Sequence, residues 1–200
     1  MTRVRLLALV VLGTSTSSFA QALPLAGGAV AAELGVTDLA LPALQIAASR
    51  GDTVFVSAFV DGGAGSAGLG LGAQWSQPLL EWLSLREVVE GGPRLALRAP
   101  NDVTRGAAGG LGASAALQLV VRAGDVDIVA GPRVAGSAIV DGEVPGRLVV
   151  DGVIGVRVPL GEGFAITGVV SGGQERSLRG FVEHGAVVSG SAFVGVQWTP

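Results

Sequence analysis

Residues 147–158 read Arg-Leu-Val-Val-Asp-Gly-Val-Ile-Gly-Val-Arg-Val, and their alternation decides the fold. Leu148, Val150, Ile154, Val156 and Val158 share one parity, with Gly152 among them, while Arg147, Asp151, Gly155 and Arg157 hold the other. Successive side chains of a strand point to opposite faces, so this period of two writes one apolar face and one small or charged face. The same pattern recurs on both sides. Ala67, Leu69, Leu71, Ala73 and Trp75 alternate with Gly68, Gly70, Gly72, Gln74 and Ser76. Ala186, Val188, Ala192, Val194, Val196 and Trp198 alternate with Ser189, Ser191, Gly195 and Gln197. Stretches near 27–36, 43–50, 53–61, 81–90, 109–122, 125–140 and 162–173 behave alike, which predicts ten strands.

The connections alternate as well. Gly51-Asp52, Ala123-Gly124 and Leu160 to Gly163 read as tight turns, and Gln77 to Leu80 is nearly as short. Between them fall Thr37 to Pro42, Gly91 to Ala108, Asp141 to Pro145 and Gln174 to Glu183, mostly longer, with Asp61 to Gly65 the short member. Tight turns at one end and longer loops at the other describe an up-and-down meander, and an even strand count brings both ends of the sheet to the short-turn side.

Composition removes several classes. The 200 residues include 33 Gly, no Cys and one His, with 49% hydrophobic and 14% charged side chains and a net charge of −3. So apolar a chain is not disordered, and its Gly lacks the triplet period of collagen. Disulfides, thiolate metal sites and cysteine nucleophiles are excluded, and no basic stripe is present to hold nucleic acid. Arg3 and Arg5, the apolar run Leu6 to Leu12 and the small residues ending in Ala20-Gln21-Ala22 predict a secretory signal peptide over 1–22, leaving 23–200 as one domain. No later run approaches about 18 uninterrupted apolar residues, so a membrane-spanning mature chain has to be a closed barrel.

Alternation alone fits either a soluble sandwich or a membrane barrel, since inverting the faces leaves the string unchanged. Three features favour the barrel. The apolar parity is almost free of charge, broken only by Glu87; a Lys or Arg at the bilayer midplane costs about 2–4 kcal/mol, which enforces such purity. The other parity is Gly, Ala and Ser with sparse charges of both signs, suited to a narrow interior rather than to a solvated sheet face. Trp75, Trp82, Phe164 and Trp198 all fall at strand ends beside short turns, as a periplasmic aromatic girdle would.

From Gly27 to Trp198 the chain resembles the small outer-membrane β-barrel proteins of Gram-negative bacteria. Arg157-Val-Pro-Leu-Gly-Glu-Gly-Phe-Ala-Ile-Thr-Gly168 looks like a periplasmic turn of that family, as does Trp75-Ser-Gln-Pro-Leu-Leu-Glu-Trp-Leu-Ser-Leu85. The resemblance implies residence in the outer membrane, with the lipid bilayer and the outer-membrane insertion machinery as partners and a monomeric state. Trp198 is similar to the terminal aromatic that this machinery reads, although Thr199 and Pro200 follow it and the usual preceding Gly is absent.

Individual motifs carry little chemistry. Gly63-Ala-Gly65-Ser-Ala-Gly68 matches a dinucleotide fingerprint, but strand-period sequence follows where a helix is required. Arg50-Gly51-Asp52 matches an adhesion tripeptide and equally suits a two-residue turn. His184, beside Glu183, could act as a base, yet Ser189 falls on the opposite face, and one histidine has no metal-binding companions. The inward parity is the informative set: Glu33, Arg86, Arg122, Asp125, Asp127, Arg133, Arg147, Asp151 and Arg157 form either a selectivity ring or a mutually paired network filling the lumen, and the near balance of signs favours the network. Glu87 predicts a bulge or shifted register, and Pro132 predicts a bulge at Gly131-Pro132.

The sequence therefore predicts an all-β protein, a transmembrane antiparallel up-and-down β-barrel of ten strands, or eight if residues 23–50 form a plug or periplasmic segment. Catalytic, metal-binding and cofactor-binding residues are not expected. The role expected is non-enzymatic, structural or surface-interacting, with a narrow passive channel and a secreted soluble barrel binding an apolar ligand as the alternatives.

Overall fold

The computed structural model describes residues 28–37, 41–61, 66–97, 107–139, 146–179 and 182–200. The predicted leader and the tip residues of the five longer connections lie outside that set. Ten strands follow one another: β1 (Val30–Thr37), β2 (Leu41–Arg50), β3 (Val54–Asp61), β4 (Ser66–Leu80), β5 (Leu83–Leu97), β6 (Ala107–Ala123), β7 (Val126–Ile139), β8 (Gly146–Gly161), β9 (Phe164–Arg179) and β10 (Val182–Trp198). Each pairs antiparallel with its chain neighbours, and β1 pairs with β10 from Val30↔Trp198 to Thr37↔Ser191, which closes the barrel. Residues 30–37 and 41–50 form β1 and β2, so they are wall rather than plug.

The register fixes the bore. Partners traced from Val30 run through Ala48, Val56, Leu71, Gly91, Ala113, Gly136, Leu148 and Arg176 to Ala186, whereas Val30 itself pairs with Trp198. That stagger of 12 residues over ten strands tilts them by about 40° from the barrel axis and leaves an interior that side chains can fill.

Strand lengths divide the wall in two. β1 to β3 have 8 to 10 residues, while β4 to β10 have 14 to 17. Strands therefore occupy ground where the sequence suggested connections. β4 runs through Gln77 to its turn at Glu81-Trp82, β5 continues past Gly91-Gly92-Pro93 to Leu97, and β9 and β10 extend over most of Gln174 to Glu183. Gly and Pro marked breaks in a local reading, but cross-strand pairing on both sides carried the ladder through them. β4 outruns β3, whose pairing ends at Val54↔Ala73, and beyond it Gln74 N–H donates to Thr53 O at 2.7 Å. Pro78 has the same parity on the stretch beyond, so the open edge carries a residue with no N–H to expose.

Neither predicted bulge is present. β5 pairs with β6 without a shift from Leu83↔Val121 to Leu97↔Ala107, so Glu87 projects outward in regular register. β7 pairs straight through Pro132↔Gly152 on β8. Toward β6 the ladder omits Gly131 and Pro132 and resumes unshifted, because a missing N–H removes a bond without demanding an extra residue. The β8–β9 turn is the tightest local feature: Gly161, Glu162 and Gly163 all have positive φ, 97°, 51° and 80°.

The apolar parity faces away from the barrel. Leu34 and Val194, 65% exposed each, pair directly, and Leu69, Leu71, Leu111, Ile154 and Val170 are exposed on other strands. Inside, Phe55 is buried with Ala29, Ala31, Ala47, Val88 and Ala116, and Val120, Val129, Val153 and Val169 cluster with Phe193. The Phe55 ring reaches over its partner Gly72, and the Phe59 ring over Gly68, so the absent side chains on β4 are the space the rings occupy. A methyl at Gly72 collides with the Phe55 ring, whereas one at Gly152, on the outer face, meets nothing within 4 Å. Gly72→Ala is expected to destabilise the folded barrel by about 1–3 kcal/mol, and Gly152→Ala to change stability by no more than about 1 kcal/mol in the stabilising direction, as read from denaturant-unfolding midpoints.

Candidate functional site in the barrel interior

Closing the sheet brings the inward parity of all ten strands into one confined space, and the buried polar residues collect there. Arg133 on β7 and Asp151 on β8 are direct cross-strand partners. The Arg133 guanidinium donates from Nε to Oδ1 at 2.9 Å and from Nη2 to Oδ2, a two-pronged contact suited to planar Arg. The same Nη2 donates to Ser171 Oγ at 3.3 Å, and Ser171 bonds Ser191 at 2.8 Å.

A second group lies nearer the short-turn end. Arg157 on β8 pairs in register with Asp127 on β7, with Nη1 to Oδ2 at 3.4 Å, and its Nε donates to Gln197 Oε1 on β10 at 2.8 Å. Arg122 reaches the other Asp127 oxygen at 3.4 Å from the rim, where its side chain is 68% exposed. Arg86 is wholly buried on β5 and donates Nε and Nη2 to Gln118 Oε1 on β6, the former at 3.0 Å. Each guanidinium pins an amide by its oxygen, so the Nε2 atoms of Gln118 and Gln197 turn away and have no protein partner. Glu33 is buried between its partners Gln45 and Gly195. The hydroxyl of Ser114 likewise lacks a protein partner.

Of the predicted set, the structure brings inside Glu33, Arg86, Asp127, Arg133, Asp151 and Arg157. Asp125 lies exposed in the β6–β7 turn, because β6 ends at Ala123 and the turn takes Gly124-Asp125. Arg147 pairs with Ser137 through its backbone, and its side chain lies outside the described residues, as does that of His184.

Four charged interior residues escaped the sequence reading. Glu90 accepts a hydrogen bond from Ser57 Oγ, Asp61 accepts from Thr37 Oγ1 at 3.1 Å on both carboxylate oxygens, Glu175 is buried on β9, and the Arg94 guanidinium lies 5.1 Å above the Phe59 ring centre. Glu90 has the parity of Arg86, and so does Arg94 once β5 is carried past Pro93; parity was the available signal.

The four girdle residues are all 43–52% exposed on the outer surface. Trp82 occupies the β4–β5 turn, Phe164 opens β9, and Trp198 closes β10 as its cross-strand partner, with ring centres 6.3 Å apart. Trp75 lies on β4 opposite Glu87. At the same end, Ser76, Trp82, Ser84, Val120 and Arg122 border a cavity of about 180 Å³.

The remaining motifs acquire no further chemistry. Arg50 ends β2 and Gly51-Asp52 form its turn; residues 62–65 of the glycine fingerprint lie outside the described set, and Gly68 onward is strand. Among the described residues, no three His, Asp or Glu side chains are grouped to hold a metal ion. The interior balances part of its charge: the Arg133–Asp151, Arg157–Asp127 and Arg122–Asp127 pairs each span adjacent strands and tie their inward faces together. Compared with known proteins, the chain matches no family model, no curated protein and no solved structure at a meaningful level.

Removing one member of the Arg133–Asp151 pair leaves a buried charge unbalanced. Asp151→Ala should cost about 3–5 kcal/mol of unfolding free energy, and the double change Arg133→Met with Asp151→Leu should recover most of it. Asp125→Ala, at the exposed turn, should stay within about 0.5 kcal/mol. A double-mutant cycle on denaturant unfolding reads all of these values.

Proposed function

We propose that this protein is an integral outer-membrane β-barrel of the small Gram-negative type, with a non-enzymatic structural or surface-interaction role and a largely filled lumen. One observation carries the reading: leucine, isoleucine and valine project outward around the closed wall, while paired charges and amides project inward. That is the reverse of a water-soluble barrel, and it is the arrangement hydrocarbon favours, since closure pairs the backbone of the first strand with that of the last. The outward aromatics at the short-turn end support a periplasmic interface there. Bulky interior side chains, including Arg86, Phe55, Gln118 and Gln197, support a filled interior.

A second reading, a narrow passive channel, draws on the buried polar atoms without protein partners and the cavity beside Arg122. Water satisfies such atoms where room allows, and a continuous file of it would conduct. Planar-bilayer recording separates the two. The native protein should insert without steady single-channel current, whereas steady currents abolished by Gly70→Trp would overturn the filled-lumen reading. In cells the chain should fractionate with the outer membrane and shift its gel mobility on heating; recovery in periplasm or medium without detergent would instead indicate a soluble apolar-ligand carrier.

A further inference from the structure

Glu87 stands apart from the other described acidic residues. It is the only carboxylate among them that projects from the outward face of a strand. Its nearest neighbours are apolar: Trp75 lies directly across on β4, Leu117 directly across on β6, and Leu85 and Val89 precede and follow it on the same face of β5, with Gln77 of β4 the polar residue diagonal to it. Among the described residues it has neither an ion pair nor a hydrogen-bonding side-chain partner. The adjacent Arg86 points the other way, into the barrel, where it holds Gln118. Arg50 and Arg176, the outward-facing cations among the described residues, lie on β2 and β9.

A bare carboxylate on such a wall calls for a cation that the protein does not supply. Side chains directly opposite on paired strands have Cβ atoms about 4.5–5.5 Å apart, so the indole of Trp75 and the carboxylate of Glu87 flank one patch. An indole face attracts a cation, and a carboxylate accepts hydrogen bonds from one that carries N–H groups. Because Glu87 is level with Trp75, the patch sits at the depth of the aromatic girdle, where lipid headgroups meet the protein.

We propose that Trp75 and Glu87 form a headgroup site for the primary ammonium of an aminophospholipid. The inference rests on the membrane reading given above. A primary ammonium donates hydrogen bonds to the carboxylate while lying against the indole; a quaternary ammonium has no donor and engages the indole alone.

The test uses the full mature chain folded into vesicles of equimolar phosphatidylethanolamine and phosphatidylcholine, extracted gently, with retained lipid counted by native mass spectrometry. Phosphatidylethanolamine should be enriched roughly three- to ten-fold among retained lipids. Glu87→Gln, which keeps size and removes charge, should bring the ratio close to one, and Trp75→Leu should lower it in part. Heat-shifted gel mobility verifies that each variant is folded. An unbiased ratio for the native protein, or enrichment that survives Glu87→Gln, overturns the site. Failure of the native chain to enter vesicles overturns the membrane reading itself, and that outcome is distinct from insertion without lipid preference.

Discussion

Pairing of β1 with β10 is the constraint on which everything else depends. It removes both edges of the sheet, so no row of backbone donors and acceptors is left open along the closed part of the wall. The offset at which the two strands meet sets the stagger, the stagger sets the tilt, and the tilt sets the bore. Closure also gives the alternation its meaning. In an open sheet either face could be covered; here one parity has to enter a confined space and the other has to meet the surroundings.

The contents of that space follow from its width. Large groups enter only where a partner strand yields room, and β4 yields it: Phe59, Ser57 and Phe55 of β3 face Gly68, Gly70 and Gly72. Several of the charges that enter do so with partners on neighbouring strands. Arginine suits this role because its planar fork can satisfy a carboxylate on the next strand, as Arg133 does with Asp151, or fix a neutral amide, as Arg86 does with Gln118. The interior is therefore layered rather than uniform, with valine and phenylalanine clusters beside ion pairs. Each cross-strand pair couples neighbouring strands through side chains as well as through the backbone.

The outer wall follows the opposite rule, and its exceptions are informative. Pro132 and Glu87 both break expectation for a regular apolar strand, yet both hold unshifted register. A proline costs its ladder one hydrogen bond, and a carboxylate costs solvation, but neither alters how many residues fit between turns. Register is set by the whole length of two paired strands, so one awkward residue is overruled. The cost shows instead in local chemistry: an interrupted ladder at Pro132, and at Glu87 a charge that no described side chain balances.

Side-chain alternation is a local property, so the sequence alone pointed to ten strands, with eight the alternative that β1 and β2 in the wall removed, and to their up-and-down order, the short turns at Gly51, Gly124 and Gly161 to Gly163, and the inward placement of Arg86, Arg133 and Asp151. It could not determine where strands stop, because Gly91-Gly92-Pro93 and the polar stretch from Gln174 read as connection in isolation and become ladder when neighbours on both sides offer bonds. For that reason Arg94 and Glu175 went unseen as interior residues, and Asp125, two residues past the end of β6, was wrongly placed among them. Which charge meets which partner was also beyond the string of residues. That Arg157 reaches Gln197, 40 residues away, depends on the stagger of a closed sheet, and stagger exists only once the first strand and the last have met.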